Sequence, residues 1–299
     1  MKSKFKYILL VLMITILIIL FIKSKKLDTK LFSLVPMTIN TTTPATVRPF
    51  IILIVPGHDT NTGGANFKNI YERNLVVDLA DNISALLSKD SKYKVIVARD
   101  KQSWNSIFAD YFTKNKKSII DFKNEHQAKN KILEISNPKK ITSIVGKHTT
   151  ADEKTSLELY GINKWADENN IDLVIHVHFN SSTIKNKMSK TGPYHGFNIF
   201  IPEKQRFNAS NSRIIAQDIY DQLKKKFTPQ SNNSSYDSLY EDYSLIALGA
   251  SDTLSKPAIL IEYAYIYEKI IQNPVGQKQG LEQMAEQTVV GIQDYFNSK

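Results

Sequence analysis

Residues 50–55 read FIILIV, an unbroken apolar run that stops at Pro56-Gly57. A strand with no polar face must be covered on both sides, so this run belongs in a sheet sandwiched between layers. The same grammar recurs along the chain. Residues 94–98 (KVIVA), 171–179 (IDLVIHVHF), 196–201 (GFNIFI) and 258–261 (AILI) predict further strands. Between them lie helical patterns. Residues 71–87 place Leu75, Leu79, Ile83 and Leu86 at three- and four-residue steps. Residues 157–168 read as helix, as do 214–227 through Ile215, Ile219, Leu223 and Phe227. Residues 281–296 put Met284, Thr288, Ile292 and Phe296 on one face. Strands alternating with helices predict an α/β fold, an open, mostly parallel (mixed) sheet covered by helices on both faces. Residues 101–156 break the rhythm and read as an insertion.

The N-terminus follows a different rule. Residues 7–22 (YILLVLMITILIILFI) are apolar without a break. As a helix they span about 24 Å at 1.5 Å per residue. Snorkelling of Lys6 and Lys23 makes up the difference to a hydrocarbon core of about 30 Å. No small-residue cleavage site follows, since the run meets Ile22-Lys23-Ser24-Lys25-Lys26. The expectation is an uncleaved transmembrane helix within residues 1–26. Lys2, Lys4 and Lys6 balance Lys23, Lys25 and Lys26, so flanking charge sets no orientation. Residues 27–49, with TINTTTPATVRP, carry no periodicity and read as a spacer. The globular domain is then 50–299, with 101–156 inserted.

Composition removes several chemistries. The 299 residues include no cysteine, which excludes disulfides, thiolate ligands and cysteine nucleophiles. The net charge is +10. Its lysines are scattered over the chain, without the basic and aromatic interleaving of a nucleic-acid groove, so they read as a solvated surface.

In open α/β sheets, functional groups gather at the carboxyl ends of the strands. The first predicted strand ends in Pro56-Gly57-His58, the third in His176-Val177-His178-Phe179-Asn180, and the late one in Glu262. Glu72 opens the first helix. Two histidines, or three, and two carboxylates are thereby presented to one rim. A catalytic zinc needs three nitrogen or carboxylate ligands and an open position for water. His58, Glu72 and His178 supply such a set. Glu262 is left over, and a free carboxylate is what a metal hydrolase uses as general base.

Four segments in order carry a resemblance: Ile54-Val55-Pro56-Gly57-His58, Tyr71-Glu72-Arg73-Asn74-Leu75, 173–180 (LVIHVHFN) and 257–263 (PAILIEY). Together they resemble the zinc-dependent N-acetylmuramoyl-L-alanine amidases of bacterial cell walls. The resemblance implies metal ligands at His58, Glu72 and His178, with Glu262 as catalytic glutamate. It implies peptidoglycan as substrate, cut between N-acetylmuramic acid and L-alanine of the stem peptide. That substrate would place the domain outside the cytoplasm, single-pass in the cell membrane. Arg99-Asp100 is similar to the family's arginine-containing turn, and Gly196 to a glycine that opens the next strand.

The departures are specific. Val55 stands where the family has aspartate, Asp59 where it has glycine, and His176 where it has serine. An arginine that the family often carries before the third strand is not evident near Tyr160. His176 is expected to be a hydrogen-bonded core residue and not a fourth ligand, because a catalytic zinc keeps one position open. His126, His148 and His195 are expected at the surface. A zinc peptidase cutting elsewhere on the stem peptide, or a wall-binding protein without catalysis, would fit the same ligands. No regulatory protein partner can be read from the sequence. Residues 101–156 are expected to form a mostly helical subdomain at the cleft edge, as a groove wall or a lid.

Overall fold

The computed structural model describes residues 48–59, 63–136, 151–181, 192, 194–230 and 239–299. The expected membrane anchor lies outside these residues, as do the spacer up to residue 47 and residues 137–150 of the insertion, with His148 among them. Among the described residues no helix is long and apolar enough to cross a membrane.

The expected mixed sheet is present. Its strands are β1 (Phe50–Pro56), β4 (Tyr93–Val97), β5 (Leu173–Asn180), β6 (Asn198–Pro202), β7 (Leu239–Asp242) and β8 (Ala258–Tyr265). They stand in the order β4-β1-β5-β8-β6-β7. β1 runs parallel to β4 and β5, and β5 parallel to β8. β6 is antiparallel to β8 and parallel to β7. The carboxyl ends of β1, β5 and β8 therefore meet at one rim.

Alternate side chains of the strands feed two separate cores, as the pleat requires. Ile52, Ile54, Ile175, Val177, Ile259 and Ile261 pack in one core with Leu79, Ile219 and Ile292. These last three come from α1 (Glu72–Leu87), α5 (Ala209–Leu223) and α7 (Pro274–Asn297). On the other face Leu53, Val55 and Val174 pack with Phe108, Ile162 and Trp165. Those belong to α2 (Ser106–Lys114) and α4 (Glu153–Glu168). The unbroken apolar runs are thus buried on both faces.

Several boundaries differ from expectation. β8 does not stop at Ile261 but continues through Glu262 to Tyr265, because Tyr263 and Ala264 keep filling the first core. α7 begins two turns early, at Pro274, where the Asn273 side chain accepts hydrogen bonds from the Val275 and Gly276 N–H groups. That cap, with Pro at the first turn, nucleates a stretch that has little apolar periodicity. α5 starts at Ala209 and ends at Leu223, and Lys224–Lys226 form turns instead of a last helical turn. The loop after β1 contains a small hairpin of β2 (Asn66–Phe67) and β3 (Ile70–Tyr71). A short helix, α6 (Lys269–Gln272), precedes α7.

The described part of the insertion is mostly helical, through α2 and α3 (Lys116–Ser136). Its Ile119 packs on Tyr160 of α4 and on Ile246, in a 3₁₀ turn (Ile246–Leu248) that leads towards β8. The domain opens at Arg48, whose guanidinium donates two hydrogen bonds of 2.7 Å to Asp172. Asp172 also accepts from the Ile51 N–H. This clamp sits at the amino end of β1, the end away from the rim.

Candidate active site

The rim brings His58, Glu72 and His178 together. His58 follows β1 directly, Glu72 is the first residue of α1, and His178 lies near the end of β5. One ligand atom of each lies within 4.8 Å of the others. His58 Nε2 is 3.0 Å from Glu72 Oε2, and His178 Nδ1 is 3.0 Å from Oε1 of the same carboxylate. Two ligands of one tetrahedral zinc-sized ion stand about 3.3 Å apart, from bond lengths of about 2.0–2.1 Å. The donor set and its compactness fit a divalent metal ion.

Glu72 is almost wholly buried and fully engaged. Its oxygens also accept the Ala65 N–H at 2.8 Å and the Phe179 N–H at 3.0 Å. Burial by itself would raise its pKa, but the hydrogen bonds and charges of His178 and His58 outweigh it and hold the carboxyl well below the usual range. The group stays a carboxylate, the form that ligates a cation.

Two glycines make room for this cluster. A Cβ on Gly57 would lie 2.2 Å from Cε1 of His178. One on Gly64, where φ is +66°, would lie 2.5 Å from the His58 ring and 2.6 Å from Glu72 Oε2. His58 itself has φ of +60°, a region costly for a side chain with a Cβ. The loop is held there by Arg99, which is buried. Its guanidinium donates to the carbonyls of Pro56 (3.1 Å), Gly57 and Arg73 (3.0 Å). Burial lowers the Arg99 pKa to about 10, which leaves it charged at neutral pH. The arginine-containing turn is therefore a clamp joining the His58 loop to the start of α1. Gly57→Ala is expected to displace the His178 ring and lower activity by about 10²-fold, as misplacement by ~1 Å can do. Metal content and melting temperature check this: full metal content would mean that the loop yields instead of the ring.

Glu262 stands in register with His178 across β5 and β8, and with Asn198 across β8 and β6. In-register residues share a face, so His178, Glu262 and Asn198 form one row beside the triad. Glu262 Oε2 and Asn198 Oδ1 are enclosed and have no hydrogen-bond partner among the described residues. Burial, and then the negative charge of Glu72, raises the Glu262 carboxyl well above its ordinary value. A carboxyl pushed upward in this way is a stronger base than an ordinary carboxylate, which suits a group that must accept a proton.

His176 is separate from the triad. It is buried, and it hydrogen-bonds the Ala247 backbone. Burial, with His178 nearby, pushes its pKa down to about 3. The structure thus places it as a neutral core histidine. His195 is exposed, and His126 is half-buried, with Nδ1 3.2 Å from the Ser251 carbonyl oxygen.

A cleft of about 460 Å³ opens from His58 and His178. Both ends of the insertion region contribute to it, Trp104 on one side and Ala151, Asp152 and Thr155 on the other. Asp59, where glycine was expected, is buried and pairs with Lys154 at 2.8 Å. Lys154 also reaches Glu158 at 3.4 Å. This ion pair joins the His58 loop to α4. The Asp59 departure hinted at it, but its partner, 95 residues away, has no signature in the sequence.

The fold recurs in solved structures. The N-acetylmuramoyl-L-alanine amidase from Clostridium difficile 630 is 19% identical with a TM-score of 0.53, covering 85% of this chain and 100% of that one. The CwlD amidase from Clostridioides difficile, solved in complex with the GerS lipoprotein, is 15% identical with a TM-score of 0.54, covering 84% and 100%. An N-acetylmuramyl-L-alanine amidase from Mycobacterium smegmatis is 13% identical with a TM-score of 0.54, covering 84% and 98%. At these identities the likeness establishes the fold alone. No curated protein sequence gives a significant match. The family evidence is a match to the N-acetylmuramoyl-L-alanine amidase family over residues 52–294, a span that runs from β1 into α7 and takes in the whole rim. On that match, the chain belongs to the N-acetylmuramoyl-L-alanine amidase family, enzymes that act on peptidoglycan.

Proposed function

We propose that this chain is a zinc-dependent hydrolase that cuts the amide between N-acetylmuramic acid and L-alanine of the peptidoglycan stem peptide. The observation that carries the reading is the row His178, Glu262 and Asn198 set against the His58–Glu72–His178 cluster. It offers a cluster able to hold a metal and, beside it, a carboxyl whose Oε2 has no hydrogen-bond partner among the described residues. His58, Glu72 and His178 hold the ion. When bound, zinc supplies Lewis-acid polarisation of the amide carbonyl and makes a water acidic enough to serve as nucleophile near neutral pH. Glu262 takes the proton of that water as general base and delivers it to the leaving amine of L-alanine. Glu72, fixed by two backbone N–H groups, keeps both histidine rings oriented.

The enzyme acts outside the cytoplasm, held to the membrane by residues 7–22 as a single uncleaved helix. Substrate chemistry supports this, because the wall lies outside the membrane, and so does the unbroken apolar run. The domain joins such a tether at the amino end of β1, whereas the triad lies at its carboxyl end.

Dye-labelled cell-wall sacculi provide the test. Wild-type protein is expected to release dye, to stop in the presence of a chelator, and to resume with added zinc. Mass spectrometry should find a new free amine on L-alanine and an intact lactyl carboxylate on the sugar. A new amine at any other stem residue would make the enzyme a peptidase instead.

A further inference from the structure

The scissile amide joins two unlike partners, a charged peptide and an uncharged sugar chain, and the rim offers two unlike surfaces. The cleft that opens from His58 and His178 is lined by Asp59, Asp152 and Glu158 together with Leu159 and Ile246. Charge mixed with aliphatic surface is suited to peptide. The opposite flank, beyond Glu262, carries tyrosines.

Their placement depends on an irregularity in the sheet. His178 pairs with Glu262, but Asn180 pairs with Tyr265, so β8 takes three steps where β5 takes two. In a regular strand Tyr265 would face away from Glu262, since side chains alternate. The extra residue in β8 is a bulge, and bulges re-aim side chains next to functional sites. Tyr263, Ala264 and Ile266 stay in the core of the far face, and Tyr265 is turned to the face of Glu262. There Tyr194 stacks on it, with ring centroids 6.1 Å apart and planes at 26°. Tyr267 lies 5.4 Å from Tyr265, and its hydroxyl donates to the Tyr194 carbonyl at 2.7 Å. Tyr194 is therefore held by its backbone and by one ring face, and its side remains open: the residue is 47% exposed. The raised pKa of the Tyr265 hydroxyl agrees, being due first to burial and then to Tyr267, Glu262 and Tyr194 nearby.

We infer that Tyr194, backed by Tyr265 and Tyr267, is the platform on which the glycan chain of the substrate rests, one sugar or more beyond the muramoyl group. A pyranose presents C–H faces and hydroxyls but no charge, and a tyrosine presents an aromatic face with a polar edge. The surface lies on the Glu262 flank, so the peptide takes the charged cleft and the sugar takes the tyrosines. This assignment rests on the amidase reading above.

The test uses the full-length chain and peptidoglycan glycan chains stripped of stem peptides, which contain no amide to cut at the muramoyl position. Wild type is expected to bind them, measured by saturation-transfer NMR and calorimetry. Tyr194→Ala should weaken binding about 3–10-fold, the range of one aromatic stacking contact, and Tyr194→Phe should stay within about twofold. Cleavage of a synthetic muramoyl-peptide with a single sugar should be unchanged in both variants. Unchanged glycan binding by Tyr194→Ala, equal loss in Tyr194→Phe, or no glycan binding by wild type would overturn the assignment. Failure of wild type to cut any muramoyl-peptide would instead sink the amidase reading, whatever the glycan result.

Discussion

Glu262→Gln is expected to reduce hydrolysis of labelled sacculi by about 10²–10⁴-fold, the usual cost of losing a general base. Zinc content should not change, because His58, Glu72 and His178 are untouched and the new side chain has nearly the same shape. The same substitution carries a second expectation, on stability. The Glu262 carboxyl is raised above its unfolded value of about 4.3 by burial and by Glu72. Between the unfolded and folded values the native state therefore holds more protons than the unfolded chain. Stability falls as pH rises through that window and stays lower above it. Glutamine has no charge to bury, so the chelator-treated variant should melt higher than chelator-treated wild type at pH 7. An inactive protein that is also more stable is the signature of a group retained for chemistry at the expense of the fold. Activity within a few-fold of wild type would remove Glu262 from the mechanism. A lower melting temperature would mean that its carboxylate is satisfied in a way that its enclosed Oε2 does not suggest.

The sheet was legible because its strands are buried on both faces. Runs such as FIILIV at β1 have no polar face and cannot be mistaken for surface. The clustering of His58, Glu72 and His178 was legible for a related reason. In a parallel sheet the carboxyl ends share a rim, so His58 and His178 needed no distance information to be brought together. What could not be read depends on register and on contacts distant in sequence. Nothing in GFNIFI announces that Asn198 would face Glu262, because that follows from an antiparallel pairing with β8. The bulge that turns Tyr265 toward Glu262 leaves no mark in the pattern AILIEYAY, whose apolar content suits a strand either way. The Asp59–Lys154 pair joins residues far apart in the chain. Cap chemistry explains the early start of α7, where Asn273-Pro274 outweighs weak periodicity.

Removing any of the three proposed metal ligands is expected to have the largest effect, and Glu72→Ala should be the most severe. Loss of a partner outside the ligand set already costs about 10–100-fold in metal affinity, so loss of a ligand should exceed that. Glu72 does more than ligate. It is the common acceptor for both histidine rings and for two backbone N–H groups, those of Ala65 and Phe179. Alanine leaves these donors without an acceptor, at about 1–3 kcal/mol for each group that stays buried. Zinc content by elemental analysis, and affinity by chelator competition, should therefore rank Glu72→Ala below His58→Ala and His178→Ala. All three should be inactive on sacculi, and excess zinc should rescue the histidine variants better than the glutamate variant. His176→Ala separates the two histidines of β5. Its ring is buried against the Ala247 backbone and is not among the clustered ligands, so the variant should keep its zinc while losing some stability. If His176→Ala loses zinc and His178→Ala retains it, the assignment of the pair is reversed. Equal loss in both would mean that the site closes around a fourth ligand, leaving no open position for water and therefore no hydrolase of the kind proposed.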